Sequence, residues 1–104
     1  MDVIINTDHS VEANDRMITF FKEEIMEELK NFSNLITRTE VHLTDENGPK
    51  ANLDDIQCKI ETRLRGKQPL VVSAKGANLE KAISSATSKM KSVLTTKVGK
   101  LQNH

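Results

Sequence analysis

The side chains best suited to covalent or acid–base chemistry are a single cysteine, three histidines and a group of glutamates. Cys58 lies on the apolar side of a segment in which apolar and polar residues alternate, whereas His42 falls on the polar side of the preceding segment. This pattern predicts no Cys–His pair and favours a core position for Cys58. The chain has no CxxC, HExxH, EF-hand or GxSxG spacing and no glycine-rich phosphate loop. The sequence therefore predicts a non-enzymatic protein without catalytic residues, bound metal or cofactor.

Four carboxylates lie close together in the first third of the chain, at Glu23, Glu24, Glu27 and Glu28. They could hold a divalent cation, but an acidic surface exposed to solvent is the interpretation we favour. Two of the spacings place like charges four residues apart, which mildly destabilises a helix unless a partner relieves the repulsion. One alternative function is therefore a protein-interaction module that binds a basic protein partner through this acidic helix.

Charge is distributed unequally along a chain whose 15 basic and 15 acidic residues cancel. Residues 1–62 hold 14 acidic and six basic residues, a net charge of −8, and residues 63–104 hold nine basic residues against Glu80, a net charge of +8. Such segregation indicates a surface for an anionic partner, or else a solvated surface whose halves neutralise each other in the fold. Charge alone favours the second interpretation.

A predicted hairpin organises the elements that must carry these side chains. Residues 56–65 alternate strictly with a period of two, and in residues 36–43 Thr39, Val41 and Leu43 share one face, which is typical of strands with one buried face. The connection at residues 44–55 contains Asn47-Gly48, a pair that favours tight turns. It is long for a hairpin loop, so we expect it to be mobile or to be ordered by a ligand.

A strand at residues 2–7 and a helix at residues 15–31 precede the hairpin, and a strand at 69–75 and a helix from residue 79 follow it. The helices show apolar stripes, with Asn14 and Asn78 as predicted N-caps. The order is β-α-β-β-β-α, which predicts an α+β fold: a four-stranded sheet with both helices packed on one face. The first strand should run parallel to the second, and Pro69 indicates that the last strand is an edge strand. We expect residues 1–104 to form a single domain.

Several segments carry a resemblance to a known family: VIINT (3–7), LKNF (29–32), ITRTEVHLTDENGPK (36–50), QCKIETRLRGKQPLVV (57–72) and LEKAISSATSKMKSVL (79–94). With the order of elements, they resemble the ribosome hibernation-promoting and ribosome-associated inhibitor family, also called the sigma-54 modulation or S30EA family. Family members bind the small ribosomal subunit where messenger and transfer RNA sit, and they silence translation in stress or stationary phase. Long forms add a C-terminal domain that pairs ribosomes, whereas this chain resembles a short form.

The resemblance implies a cytoplasmic protein whose partner is the rRNA of the small subunit, with no small-molecule substrate and no membrane association. Lys89 matches a lysine of the family's second helix, and Lys30 matches one near the end of the first helix. The chain departs from the family's basic pattern at Glu24, Glu27 and Ser92, and an acidic helix is repelled by phosphates. The residues expected to bind rRNA are Lys30, Arg63, Arg65, Lys81, Lys89, Lys91, Lys97 and Lys100.

Overall fold

The computed structural model describes residues 1–46 and 56–102, and its elements follow the predicted order β-α-β-β-β-α. The predicted turn at Asn47-Gly48 and the predicted mobility of the loop lie outside the described residues. The elements are β1 (Asp2–Thr7), α1 (Asp15–Glu28), a 3₁₀ helix (Lys30–Phe32), β2 (Ile36–Asp45), β3 (Ile56–Leu64), β4 (Leu70–Gly76) and α2 (Leu79–Gln102).

The four strands form one sheet in the order β1-β2-β3-β4. β1 runs parallel to β2, and the other two pairs are antiparallel, which confirms the predicted direction of β1 and the edge position of β4. The register places Ile5, Val41, Ile60 and Val72 side by side across the sheet. This row belongs to the core-facing side of the sheet, because Val41 and Ile60 are fully buried and the other two pack against the core.

The alternation in β3 separates the two faces of the sheet as predicted. Cys58 and Ile60 are fully buried, Lys59 is exposed, and Glu61 is partly exposed. A sheet covered on one side requires this alternation, because a shift of one residue would send every apolar side chain into water. The face away from the helices is therefore mostly polar and solvated, and it is called the open face below.

Local interactions set both ends of the first helix. The Asn14 side chain accepts a hydrogen bond from the Met17 backbone N–H at 2.9 Å, which confirms the predicted N-cap. Phe21 and Ile25 are buried against the sheet. The predicted helix reached residue 31, but the α-helix ends at Glu28 because the chain then tightens into the 3₁₀ turn.

The second helix lies over β3 and β4, beside α1. The Asn78 side chain accepts a hydrogen bond from the Lys81 N–H at 2.8 Å and so caps α2 as predicted. Its buried stripe packs on the sheet, and it includes Ala82, Ile83, Ala86, Met90 and Leu94. This packing fixes which side of α2 faces outward, and that side carries the residues considered next.

Candidate nucleic-acid interface

A straight row of small hydroxyl side chains runs along the outer surface of α2. Its members are spaced by three or four residues and are all exposed, which places them on one line of the helix. The row spans about 16 Å along the helix axis, at roughly 1.5 Å per residue. Lys81, one turn before the first member, continues the same line. We call Ser85, Ser88, Ser92 and Thr96 the hydroxyl row.

Two lysines flank the hydroxyl row on opposite sides. The Lys89 ammonium donates a hydrogen bond to the Ser73 carbonyl of β4 at 2.9 Å. The Lys91 ammonium lies 3.4 Å from the Glu28 carboxylate of α1. An ammonium carries three N–H donors, so each lysine can hold this partner and still donate to a phosphate. The row is thus bordered on both sides by cations that each contact a neighbouring element.

The two remaining predicted lysines of α2 lie nearer its C-terminus, and Lys97 projects from a different side of the helix than the hydroxyl row, because it follows Ser92 by five residues, about 140° around the axis. Lys97 is exposed and lies about 24 Å along the axis from Lys81. Lys100 belongs to the same helix, but its side chain lies outside the described part. The structure therefore brings Lys81, Lys89, Lys91 and Lys97 onto one element.

The other predicted residues do not join the α2 surface. Arg63 is exposed on the open face of the sheet, 3.6 Å from the Glu61 carboxylate. Arg65 is exposed just after β3, and its backbone N–H donates to the Leu35 carbonyl at 2.9 Å. Lys30 begins the 3₁₀ helix after α1, where its hydrogen bond to Glu27 at 2.7 Å and the charge of that carboxylate raise its pKa. None of these three basic side chains therefore lies on the outer surface of α2.

A sharp electrostatic boundary runs between the two helices. Glu24 and Glu28 of α1 line a groove whose other wall is formed by Ser84 and Ser88 of α2. Only the Lys91–Glu28 ion pair crosses this boundary among the described residues. One side of the helical layer is therefore acidic and the other basic, so an anionic ligand would be attracted to α2 and repelled by α1.

One cation near this surface was not among the predicted residues. The Lys75 ammonium lies 3.0 Å from the Glu46 carboxylate, and Lys75 lines an open cleft with Lys81 and Ser85 at the start of α2. The alternation of β4 exposes Lys75, and a connection of only two residues places it beside the helix. The alternation and the short connection can both be read from the sequence, so Lys75 could have been included among the residues expected to bind rRNA.

Neither the cysteine nor His42 lies on the α2 surface. Cys58 is fully buried, and burial raises the pKa of its thiol to about 12. His42 is exposed on the open face. Within residues 1–46 and 56–102, no group of three or more His, Cys, Asp or Glu could hold a metal ion. In the same part of the chain, no helix is sufficiently long and apolar to cross a membrane.

Comparisons with known proteins agree with this fold. The model of the family described as Sigma 54 modulation protein / S30EA ribosomal protein matches residues 4–102. A ribosomal subunit interface protein from Coxiella burnetii superimposes with a TM-score of 0.74 at 12% identity, over 95% of this chain and 99% of that one. The Protein Y N-terminal domain of Thermus thermophilus gives 0.71 at 17% identity, over 92% and 98%. A search of curated protein sequences found no match.

Proposed function

The chain belongs to the Sigma 54 modulation protein / S30EA ribosomal protein family, and on that premise we propose that it is a non-enzymatic, cytoplasmic factor that binds the small ribosomal subunit and blocks translation during stress or stationary phase. The name of the Coxiella burnetii protein, a ribosomal subunit interface protein, supports a ribosomal partner without naming the subunit. The observation that carries the proposal is the outer surface of α2, where the hydroxyl row is bordered by Lys89 and Lys91.

Small hydroxyl side chains and lysines are suited to a phosphate ridge. Serine and threonine hydroxyls donate to phosphate oxygens, and their small size allows the helix backbone to approach RNA closely. The lysines add charge without requiring a particular base. Since the chain has only three aromatic residues, all Phe, base stacking contributes little, and recognition should depend on RNA shape and backbone.

The proposed mechanism is occlusion. A compact domain held between rRNA segments excludes messenger and transfer RNA from the channel, so no bond is made or broken. The acidic α1 sets the orientation, because its carboxylates must face away from phosphates while α2 faces them. Glu24 and Glu28 border the groove beside α2, so they limit how far RNA contacts extend toward α1.

The first experiment compares two double charge reversals in binding assays with purified small subunits. Lys89→Glu with Lys91→Glu alters α2, and Lys59→Glu with Arg63→Glu makes the same charge change on the open face. We expect the α2 pair to lose binding, because two phosphate contacts disappear and two repulsive charges replace them. The open-face pair should lose less binding than the α2 pair, because of its two residues only Arg63 is among those expected to contact rRNA.

Thermal unfolding of both double variants is the control for folding. Lys91→Glu places two carboxylates together at Glu28, and Lys89→Glu removes the hydrogen bond to Ser73, so a small loss of stability is expected. Equal loss of binding in both pairs would mean that net charge alone controls attachment. Retained binding by the α2 pair, with loss in the open-face pair, would place the RNA contact on the other side of the sheet.

A second candidate function is favoured by the outer face of α1. Phe20 is 52% exposed there, and it lines a shallow surface depression with Glu23 and Glu24. Within the described residues, neither glutamate takes part in an ion pair. An apolar ring among free carboxylates fits a basic protein partner, whose arginine can stack on the ring. Loss of ribosome attachment in Glu23→Lys with Glu24→Lys, but not in the α2 pair, would support this alternative.

A further inference from the structure

The two edges of the sheet are protected very differently. An edge strand presents unpaired backbone groups, and proteins usually block them with proline, lysine or a bulge. β4 has such protection, because Pro69 precedes it and the Lys89 ammonium donates a hydrogen bond to the Ser73 carbonyl. β1 contains neither proline nor lysine, and its register with β2 is regular from Asp2 to Thr7.

We propose that β1 pairs antiparallel with β1 of a second copy of this chain, joining two sheets into one of eight strands. The two-fold axis passes through Ile4, so the two Ile4 residues lie opposite each other. In this register Val3 lies opposite Ile5, and Asp2 lies opposite Asn6 of the other copy. The inference is independent of the proposed ribosomal function.

The sequence of β1 is complementary to itself in this register. On the open face, the Asp2 carboxylate meets an Asn6 amide that can donate to it, and no like charges lie opposite each other. Ile4 is 38% exposed on the same face, and the two Ile4 side chains would cover each other. On the face toward the helices, Val3 is buried and Ile5 partly buried, so apolar residues meet there as well. A shift of one residue would oppose side chains from different faces.

The first helix turns a flank with an exposed apolar residue toward this edge. Glu24 and Glu28 lie on the flank of α1 toward α2, since both line the groove between the helices. Met26 is two residues from each of them, which places it on the opposite flank of the helix, away from α2. Met26 is 44% exposed. The flank that approaches the second copy therefore presents an apolar side chain rather than the acidic groove.

The paired form leaves the α2 surface accessible. α2 covers β3 and β4, at the end of each sheet remote from β1, so the two α2 helices would face outward from the joint. A dimer of this kind could present two basic surfaces at once. It would also place the two α1 helices next to the two-fold axis.

Disulfide trapping tests the pairing with a matched control. Ile4 and Val71 lie in one cross-strand row on the open face, at opposite edges, and are 38% and 54% exposed. Ile4→Cys puts two thiols across the two-fold axis with Cα atoms about 4.5–5.5 Å apart, within disulfide range. The native Cys58 is fully buried, so it does not compete. Under mild oxidation with glutathione disulfide, Ile4→Cys should give a species of twice the monomer mass, and Val71→Cys should remain monomeric.

Sedimentation velocity at rising protein concentration tests the same contact without a covalent bond. The unmodified protein and Val71→Lys should shift from monomer toward dimer, and Ile4→Lys should remain a monomer because two ammonium groups would face each other. Circular dichroism verifies that each variant is folded. A monomer at every concentration for the unmodified protein, or equal trapping of the two cysteine variants, would overturn the proposal.

Discussion

Gly76 is the position where the smallest change should damage the fold most. It ends β4, and a Cβ atom there would lie 2.5 Å from the backbone N of Ala82 and 2.9 Å from both the Ala82 Cα and the Lys81 carbonyl carbon. All three atoms are backbone, so no side chain can rotate away. Gly76→Ala therefore forces the first turn of α2 off the sheet.

The size of the effect follows from the overlap. Ordinary carbon contacts lie at 3.4–4 Å, so the new methyl group would intrude by nearly 1 Å on the closest atom. Overpacking of a tight core typically costs about 1–3 kcal/mol, and a clash with an immobile backbone belongs at the upper end of that range. We expect a loss of about 3 kcal/mol in the free energy of unfolding, with displacement of Lys81.

Two other glycines provide matched controls for the same chemical change. Gly99 lies within α2 and has nothing within 4 Å of an added Cβ, so Gly99→Ala should stabilise by up to about 1 kcal/mol through helix propensity. Gly66 has a φ of +70°, so Gly66→Ala should cost about 1 kcal/mol through backbone strain. Urea unfolding followed by circular dichroism measures all three. A loss below about 1 kcal/mol in the free energy of unfolding of Gly76→Ala would refute the close packing of α2 on β4.

The remaining predictions concern the core and the thiol. Phe21→Ala and Ile83→Ala should each cost about 2–5 kcal/mol in urea unfolding, because both side chains are buried. Phe20→Ala is the matched control, and it should lose at most about 1.5 kcal/mol because its ring is half exposed and makes only an edge-on contact with Phe21. Since burial raises the pKa of Cys58 to about 12, the folded protein holds this proton more tightly than the unfolded chain, and stability should fall as pH rises from the ordinary thiol value of 9.0 toward 12. Cys58→Val should reduce that fall in pH-dependent unfolding, and an unchanged pH profile would contradict the assigned burial.

Local patterns in the sequence were sufficient for the order of the elements and the faces of the sheet. The alternation through Cys58 and Ile60 placed both in the core, and the side chains of Asn14 and Asn78 cap the helices as predicted. These features depend on neighbours a few residues away. The need for glycine at position 76 was not predicted, because it arises from a helix that returns over the strand.

The partners of the basic residues could not be predicted in the same way. Periodicity places Lys89 and Lys91 on different sides of α2, but their contacts with Ser73 and Glu28 depend on how α2 sits between β4 and α1. Arg63 was expected to serve with the lysines. It faces the open side of the sheet, so whether it shares a ligand with α2 remains a prediction for the charge-reversal experiment.

Equilibrium binding of the unmodified protein to purified small ribosomal subunits, measured across a series of salt concentrations, tests the central claim most directly. Four exposed lysines on α2 that each contact a phosphate predict a log-affinity against log-salt slope of about −3. Lys89→Glu with Lys91→Glu should reduce the magnitude of that slope by roughly two. Absence of binding at low ionic strength, where electrostatic attraction is strongest, or binding that does not change with salt, would contradict the account.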